Sequence, residues 1–97
     1  AAEAHYQLGN PSRATALVNQ IRQRAGIPGA SVNSIEKVYN ERRLELSGEG
    51  LRFFDLVRTG QAAQYIPGFV VGKHEVFPIP QVEIDLAGGT WSQNPGY

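Results

Sequence analysis

Between Glu41 and Arg58, four arginines (Arg42, Arg43, Arg52, Arg58) stand among four acids (Glu41, Glu45, Glu49, Asp55) in eighteen residues. Two chemistries suit so dense a run. Glu41 and Glu45 are four apart and share a face if the segment is helical; a pair of carboxylates is the equipment of a glycosidase. An acid catalyst must keep its proton, however, and neighbouring arginines favour its loss. The spacing suits an ion-pair network better. Arg42 and Glu45 are i,i+3 neighbours, and Arg52, Asp55 and Arg58 form an i,i+3,i+6 ladder. Arginine serves such networks because its planar fork holds two carboxylate oxygens at once. With Phe53 and Phe54 in the same run, some of these charges are expected to be partly buried, pinning two helices and the turn between them.

The remaining candidates for chemistry are sparse. His5 and His74 are the only imidazoles, and the chain has no cysteine. On an extended segment His74 and Glu75 point to opposite faces, and His5 has only Glu3 nearby at unsuitable spacing, so no metal site is expected. No serine sits in a nucleophile elbow and no glycine-rich loop opens a phosphate-binding helix. No catalytic residue and no cofactor are therefore assigned. Trp91, Tyr97, Tyr65 and Phe69 are possible platforms for the apolar face of a sugar ring. Trp91 is the candidate kept for ligand binding, because its loop is rich in hydroxyl and amide groups. The competing expectation is that Trp91 plugs the loop onto the helical body, since a thin core needs aromatic anchors.

These residues need elements to hold them. Residues 1–8 are rich in good helix formers, with Gly9 placed as a C-terminal stop. Asn10 and Pro11 open a second helix as cap and first residue. Ala14, Leu17, Val18, Ile21 and Ala25 follow the rhythm of one buried helical stripe, and Gly26 closes it. The two make a helical hairpin, which reads as the last unit of a stack of helical pairs. A third helix is expected from Asn33 to about Leu46, with Asn33 and Glu36 resembling a capping box; Ile35, Val38, Tyr39 and Leu46 share its face. A fourth runs over 51–58, extended by a turn to Tyr65 or stopped at Gly60. Four of the six prolines and five of the eleven glycines lie beyond Gly60. Residues 1–60 are accordingly expected to be helical and 61–97 irregular. Within the latter, 69–71 and 75–77 are short extended candidates, 81–86 could form one helical turn, and 88–97 is rich in turns. The class is mainly α: a hairpin, further helices and a loop-rich Pro/Gly segment with little strand.

Composition bounds the rest. Ninety-seven residues with nine basic and nine acidic side chains carry no net charge, which excludes the strongly basic surface of a non-specific nucleic-acid binder. A chain of this size buries roughly 64% of its unfolded surface. No apolar run approaches the ~18 residues of a membrane span. With no opening Met, Ala1 reads as a cut end, and the face exposed there is expected to favour self-association.

Four segments together resemble the C-terminal end of the SusD/RagB family: residues 18–26 (VNQIRQRAG), 41–58 (ERRLELSGEGLRFFDLVR), 73–80 (KHEVFPIP) and 93–97 (QNPGY). Each alone is a weak signal, whereas all four in this order are specific. Ser47-Gly48 replaces the family's commoner Ala-Phe. The resemblance implies a glycan-binding lipoprotein at the cell surface of Bacteroidota, on the outer membrane, acting in polysaccharide utilisation. It implies TPR-like hairpins, an oligosaccharide or other nutrient ligand, and a SusC-like TonB-dependent transporter as partner. It implies binding without catalysis, no nucleic-acid partner, and membrane association only through an N-terminal lipid on a cysteine that this chain lacks. Family members are several times longer, so the chain resembles a C-terminal fragment. Their ligand residues lie mostly upstream, so the resemblance makes Arg42, Arg43, Glu45, Glu49, Arg52, Asp55 and Arg58 a structural scaffold. The alternative is a TPR-like module that binds a protein partner through its hairpin; a transport-lid protein has a use for the 77–80 and 94–97 segments that such an adaptor lacks.

Overall fold

The computed structural model describes residues 1–97 and contains six helices and no strand: α1 (Ala2–Gln7), α2 (Pro11–Arg24), α3 (Ile35–Glu45), α4 (Arg52–Arg58), α5 (Ala62–Tyr65) and α6 (Gln81–Leu86). The chain is mainly helical, as expected. It divides into two compact units, Ala1–Leu51 and Arg52–Tyr97. This division falls inside the arginine-rich run and upstream of the compositional change at Gly60, because α4 and α5 pack on each other and Gly60 is the turn between them.

In the first unit, α1 and α2 pack as a helical hairpin and both touch α3. Gly9 joins the hairpin with φ 75°, a left-handed backbone that residues with a Cβ adopt only at a cost. Its N–H donates to the Tyr6 carbonyl at 3.0 Å, and the Asn10 N–H donates to the His5 carbonyl at 2.8 Å. These are the paired bonds of a Schellman stop, which satisfy carbonyls the helix leaves open. α2 ends the same way, from Gly26 to Gln23 and from Ile27 to Arg22, both at 3.0 Å. The stop of α1 also corrects one expectation. Asn10 occupies the cap position of α2, but its side chain makes no capping bond. Its backbone, at φ −116° and ψ 62°, is already set by closing α1, away from the extended conformation a capping side chain needs.

The core of this unit is Ala14 and Val18 of α2, Val38 of α3 and Val32 of the 25–34 linker, with Ala2, Tyr6 and Ile35 packed against it. The stripe on α2 is therefore buried at only two of its five positions; Leu17 and Ile21 are half-buried and Ala25 is exposed. The linker fills the rest. It has no regular structure, so its backbone polar groups need other partners, and α2 supplies them from one face. The Val32 N–H donates to Thr15 Oγ1 (3.0 Å), the Ala30 N–H donates to Asn19 Oδ1 (2.8 Å), and Arg22 Nε–H donates to the Pro28 carbonyl (2.7 Å). Thr15, Asn19 and Arg22 stand i, i+4, i+7 on the helix, and every second linker residue meets one of them, in reverse order. Gly29 lies between two of these points, where a Cβ would come within 3.3 Å of Asn19 Oδ1. The linker thus returns along α2 and carries Val32 into the core.

α3 begins at Ile35 with Ser34 in the cap position. Asn33, expected as the cap, is exposed and outside the helix. The Glu36 carboxylate turns back on the helix start. Its hydrogen bond to its own backbone N–H first, and to the Ser34 hydroxyl second, hold it below the usual carboxylate value. The expected capping box is not formed: Ser34 is the cap residue but makes no side-chain capping bond, and Glu36 stands at the second helical position where a box needs the third.

In the second unit, Leu56 and Ala62 are buried. The Phe53 ring meets Phe54, Phe69 and Phe77 at centroid distances of 5.7, 6.5 and 6.1 Å, within the range of favourable ring pairs. α4 stops at Gly60, whose N–H reaches Val57, while Gln61 reaches Leu56; α5 is a separate turn, not an extension. The stretches 69–71 and 75–77, expected to be extended, form no strand: Val71 and Glu75 lie in turns and Val76 in a bend. The backbone groups of Lys73 and His74 both donate to Val70, and the Gly72 N–H donates to the Glu75 carboxylate. Groups bonded this locally are closed to a strand partner.

Two measurements check these assignments. Asn19→Ala leaves the Ala30 N–H without its acceptor and is expected to lower the unfolding free energy by about 1–2 kcal/mol in urea titrations, with a smaller loss for Asn19→Asp, which keeps an oxygen there. Ser34→Ala is expected to move the Glu36 titration, followed by carboxyl NMR, back toward the ordinary carboxylate value. Glu36 is depressed in the folded chain, so its contribution is complete above the unfolded value and is lost as pH falls through the lower folded one; the variant should narrow that acid window.

Candidate functional site

The charged motif is organised across helices. Arg22 holds the Pro28 carbonyl with Nε, and its terminal nitrogen donates to Glu41 Oε2 at 2.8 Å. The two side chains are only 21% and 14% exposed. Two residues further along α2, Arg24 pairs with Glu45. Glu45 is therefore bound to α2, where its i,i+3 spacing suggested Arg42. The two carboxylates that share a face of α3 are each taken by a guanidinium from α2, an arrangement that ties helices together. Arg22 and Arg24 are the partners that sequence spacing missed. They are 19 and 21 residues from their acids, and only the matched charge of the two segments hinted at a pairing.

The other members of the motif lie as follows. Arg42 is half-buried on α3 and lines a groove of about 350 Å³ with Glu3, Leu17, Ile21, Val38 and Leu46. Arg43 donates to Asn40 at 3.0 Å. Glu49 stands exposed in the turn after α3, where its N–H donates to the Leu46 carbonyl at 3.1 Å. Arg58 donates to Asp55 at 3.1 Å, and the Arg52 guanidinium lies 5.2 Å from the centroid of the Tyr65 ring, a cation–π distance.

At the C-terminal end, side chains again satisfy an irregular backbone. Gln93 accepts the Ile79 N–H through Oε1 and donates through Nε2 to the Ile79 carbonyl, both at 2.8 Å. Its amide thereby imitates the paired bonds of a neighbouring strand. Asn94 Nδ2 donates to the Phe77 carbonyl at 2.6 Å, and the Tyr97 hydroxyl donates to the Val76 carbonyl at 2.9 Å. Lys73 covers this end: its Nζ lies 4.7 Å from the Tyr97 ring centroid, and its stem lies 3.0 Å from where a Cβ on Gly96 would be. The 73–80 and 93–97 segments therefore form one clasp.

Of the four candidate stacking platforms, Tyr65, Phe69 and Tyr97 are engaged within the fold. Trp91 is 55% exposed in the irregular segment beyond the turn that follows α6, so it does not serve as a buried plug. His5 lies on α1 and His74 in the clasp, and no three His, Cys, Asp or Glu side chains are placed to hold a metal ion. No helix is long and apolar enough to cross a membrane.

Arg22 bridges three segments, and its removal tests the charged site. Arg22→Ala is expected to lower the unfolding free energy by about 2–3 kcal/mol, since it strands a half-buried Glu41 and frees the linker. Arg22→Lys, one donor head in place of a fork, is expected to recover less than half of that loss in the same denaturant titration.

Comparison with known proteins accords with these motifs. The SusD family model matches residues 1–75; the clasp beyond Glu75 lies outside that match. SusD-like protein P38 of Formosa agariphila is 43% identical over 76 residues, covering 65% of this chain and 15% of that relative. The chain therefore spans about 15% of the length of the curated relative it matches. No solved structure matches. With residues 1–75 of 97 accounted for by that family model, the chain belongs to the SusD family.

Proposed function

We propose that this chain is the structural C-terminal part of a cell-surface protein that captures oligosaccharide or another nutrient without cleaving it. The captured ligand passes to a SusC-like TonB-dependent transporter in the outer membrane, where an N-terminal lipid anchors the full-length protein. The family match over 1–75 carries this reading. In it, the α1–α2 pair is a TPR-like hairpin, and Arg42, Arg43, Glu45, Glu49, Arg52, Asp55 and Arg58 are scaffold. The Arg24–Glu45 and Arg22–Glu41 pairs support a scaffold role, because they use on helix packing the carboxylates that a hydrolase would keep for its substrate.

Trp91 is the residue of this chain that reaches the ligand. Its ring is exposed, and the polar Ser92 next to it in sequence is exposed as well, a combination that suits a sugar with an apolar face and hydroxyl edges. Binding of a panel of oligosaccharides to the full-length protein by calorimetry tests this. A ligand should bind with no new reducing ends released, and Trp91→Ala should weaken it about fivefold to tenfold at unchanged melting temperature. Release of reducing ends would overturn the binding-only role, and unchanged affinity would remove Trp91 from the site. Failure of every oligosaccharide, with capture of a protein at the α1–α2–α3 groove, would favour the TPR-like interaction module.

A further inference from the structure

Val70 and His74 close a turn on each other twice. The His74 backbone N–H donates to the Val70 carbonyl at 3.0 Å. In return the Val70 N–H donates to His74 Nδ1 at 2.9 Å. A backbone N–H can only donate, so this second bond requires a bare Nδ1 and places the proton of the neutral ring on Nε2. The same imidazole packs edge-on against Phe69, with centroids 5.7 Å apart, and against Tyr97 at 6.4 Å. Tyr97 in turn holds the Val76 carbonyl. One ring thus joins the 70–74 turn, the aromatic cluster around Phe53 and the C-terminal end of the clasp.

We propose that His74 is a proton-operated latch on this clasp: closed while the imidazole is neutral, and opened when Nδ1 takes a proton. The imidazolium would set its own N–H against the Val70 N–H, two donors with nothing between them. The charged groups around it offer no exchange. Lys73 lies over the other ring that His74 touches and brings a second positive charge. Glu75, the acid beside it in sequence, accepts the Gly72 N–H with both carboxylate oxygens. No carboxylate is bonded to the imidazole. Acidification therefore removes the Val70 bond without supplying another, and it loosens Tyr97 through the shared ring contact. The latch rests on these contacts alone and is independent of the ligand assigned above.

Nitrogen and proton NMR on the intact chain, from about pH 8 to about pH 5, tests the latch. At the upper end the His74 nitrogen shifts should report the Nε2–H tautomer. Across the titration of its own ring, hydrogen-exchange protection of the Val70 amide, corrected for intrinsic rate, should fall about fivefold, and the Tyr97 ring resonances should move in step. His74→Asn places an amide oxygen near the Nδ1 position and does not titrate, so it should keep Val70 protected throughout. An Nδ1–H tautomer in the wild type, or Val70 protection that ignores the His74 titration, would overturn the proposal. Both readings come from the wild-type chain, so a variant that fails to fold does not spare it.

Discussion

A backbone N–H or carbonyl taken out of water without a partner costs about as much as the net worth of one or more hydrogen bonds. That constraint weighs heavily here, because long stretches of this chain are neither helix nor strand. Its answer is the same in both units: polar side chains at set spacing on one segment serve the backbone of another. In the first unit Thr15, Asn19 and Arg22 serve the linker at Val32, Ala30 and Pro28. In the second, Gln93, Asn94 and Tyr97 serve Ile79, Phe77 and Val76. Remove the first set, and Val32 has no path into a core that holds only three other buried residues. Remove the second, and the irregular stretch around Pro78 and Pro80 has nothing to replace the strand pairing that proline forbids.

The charges follow from the same scarcity of core. A neutral chain with a small apolar interior gains from placing arginine and glutamate where they are half-shielded, since the guanidinium brings a long apolar stem as well as a charge. Arg22 does three things at once: it lies along α2, holds the linker carbonyl and takes Glu41 from α3. Arg52 and Lys73 use aromatic rings in place of acids. Within the motif that looked richest in possible catalysis, Glu41 and Glu45 are each paired with an arginine of α2. Trp91, beyond the turn that follows α6, is left 55% exposed.

Legibility in the sequence varied with the range of the interaction. Gly9 and Gly26 marked helix ends correctly, because a left-handed residue at a helix stop is a local requirement; at Gly60 the sequence left a stop and an extension open, and the stop is what forms. Val38 and Val18 were legible from helical rhythm. Asn10 was read at the right cap position, but closure of α1 had already set its backbone and its side chain makes no capping bond; Asn33 was not the cap, because Ser34 stood one residue nearer the helix. The extended segments around Gly72 failed for a related reason: a run of valine and phenylalanine favours strand only when a partner strand exists, and here local bonds to Val70 and Glu75 close the backbone first.

What the sequence determined by itself was the class, the helix stops, the presence of a charged motif and the resemblance in its order of segments, all of which depend on neighbours a few residues apart. Which charge met which was decided only by tertiary structure. The spacing of Arg42 and Glu45 offered a pair within one helix, yet Arg24 and Arg22, 21 and 19 residues away, hold Glu45 and Glu41. A long arginine side chain reaches whichever carboxylate the packed helices bring near, and packing is set by buried apolar contacts that sequence distance does not record. The same is true of His74: nothing in its neighbours along the chain announces that its ring, folded back on Val70 and against Phe69 and Tyr97, accepts a hydrogen bond that only a neutral imidazole can take.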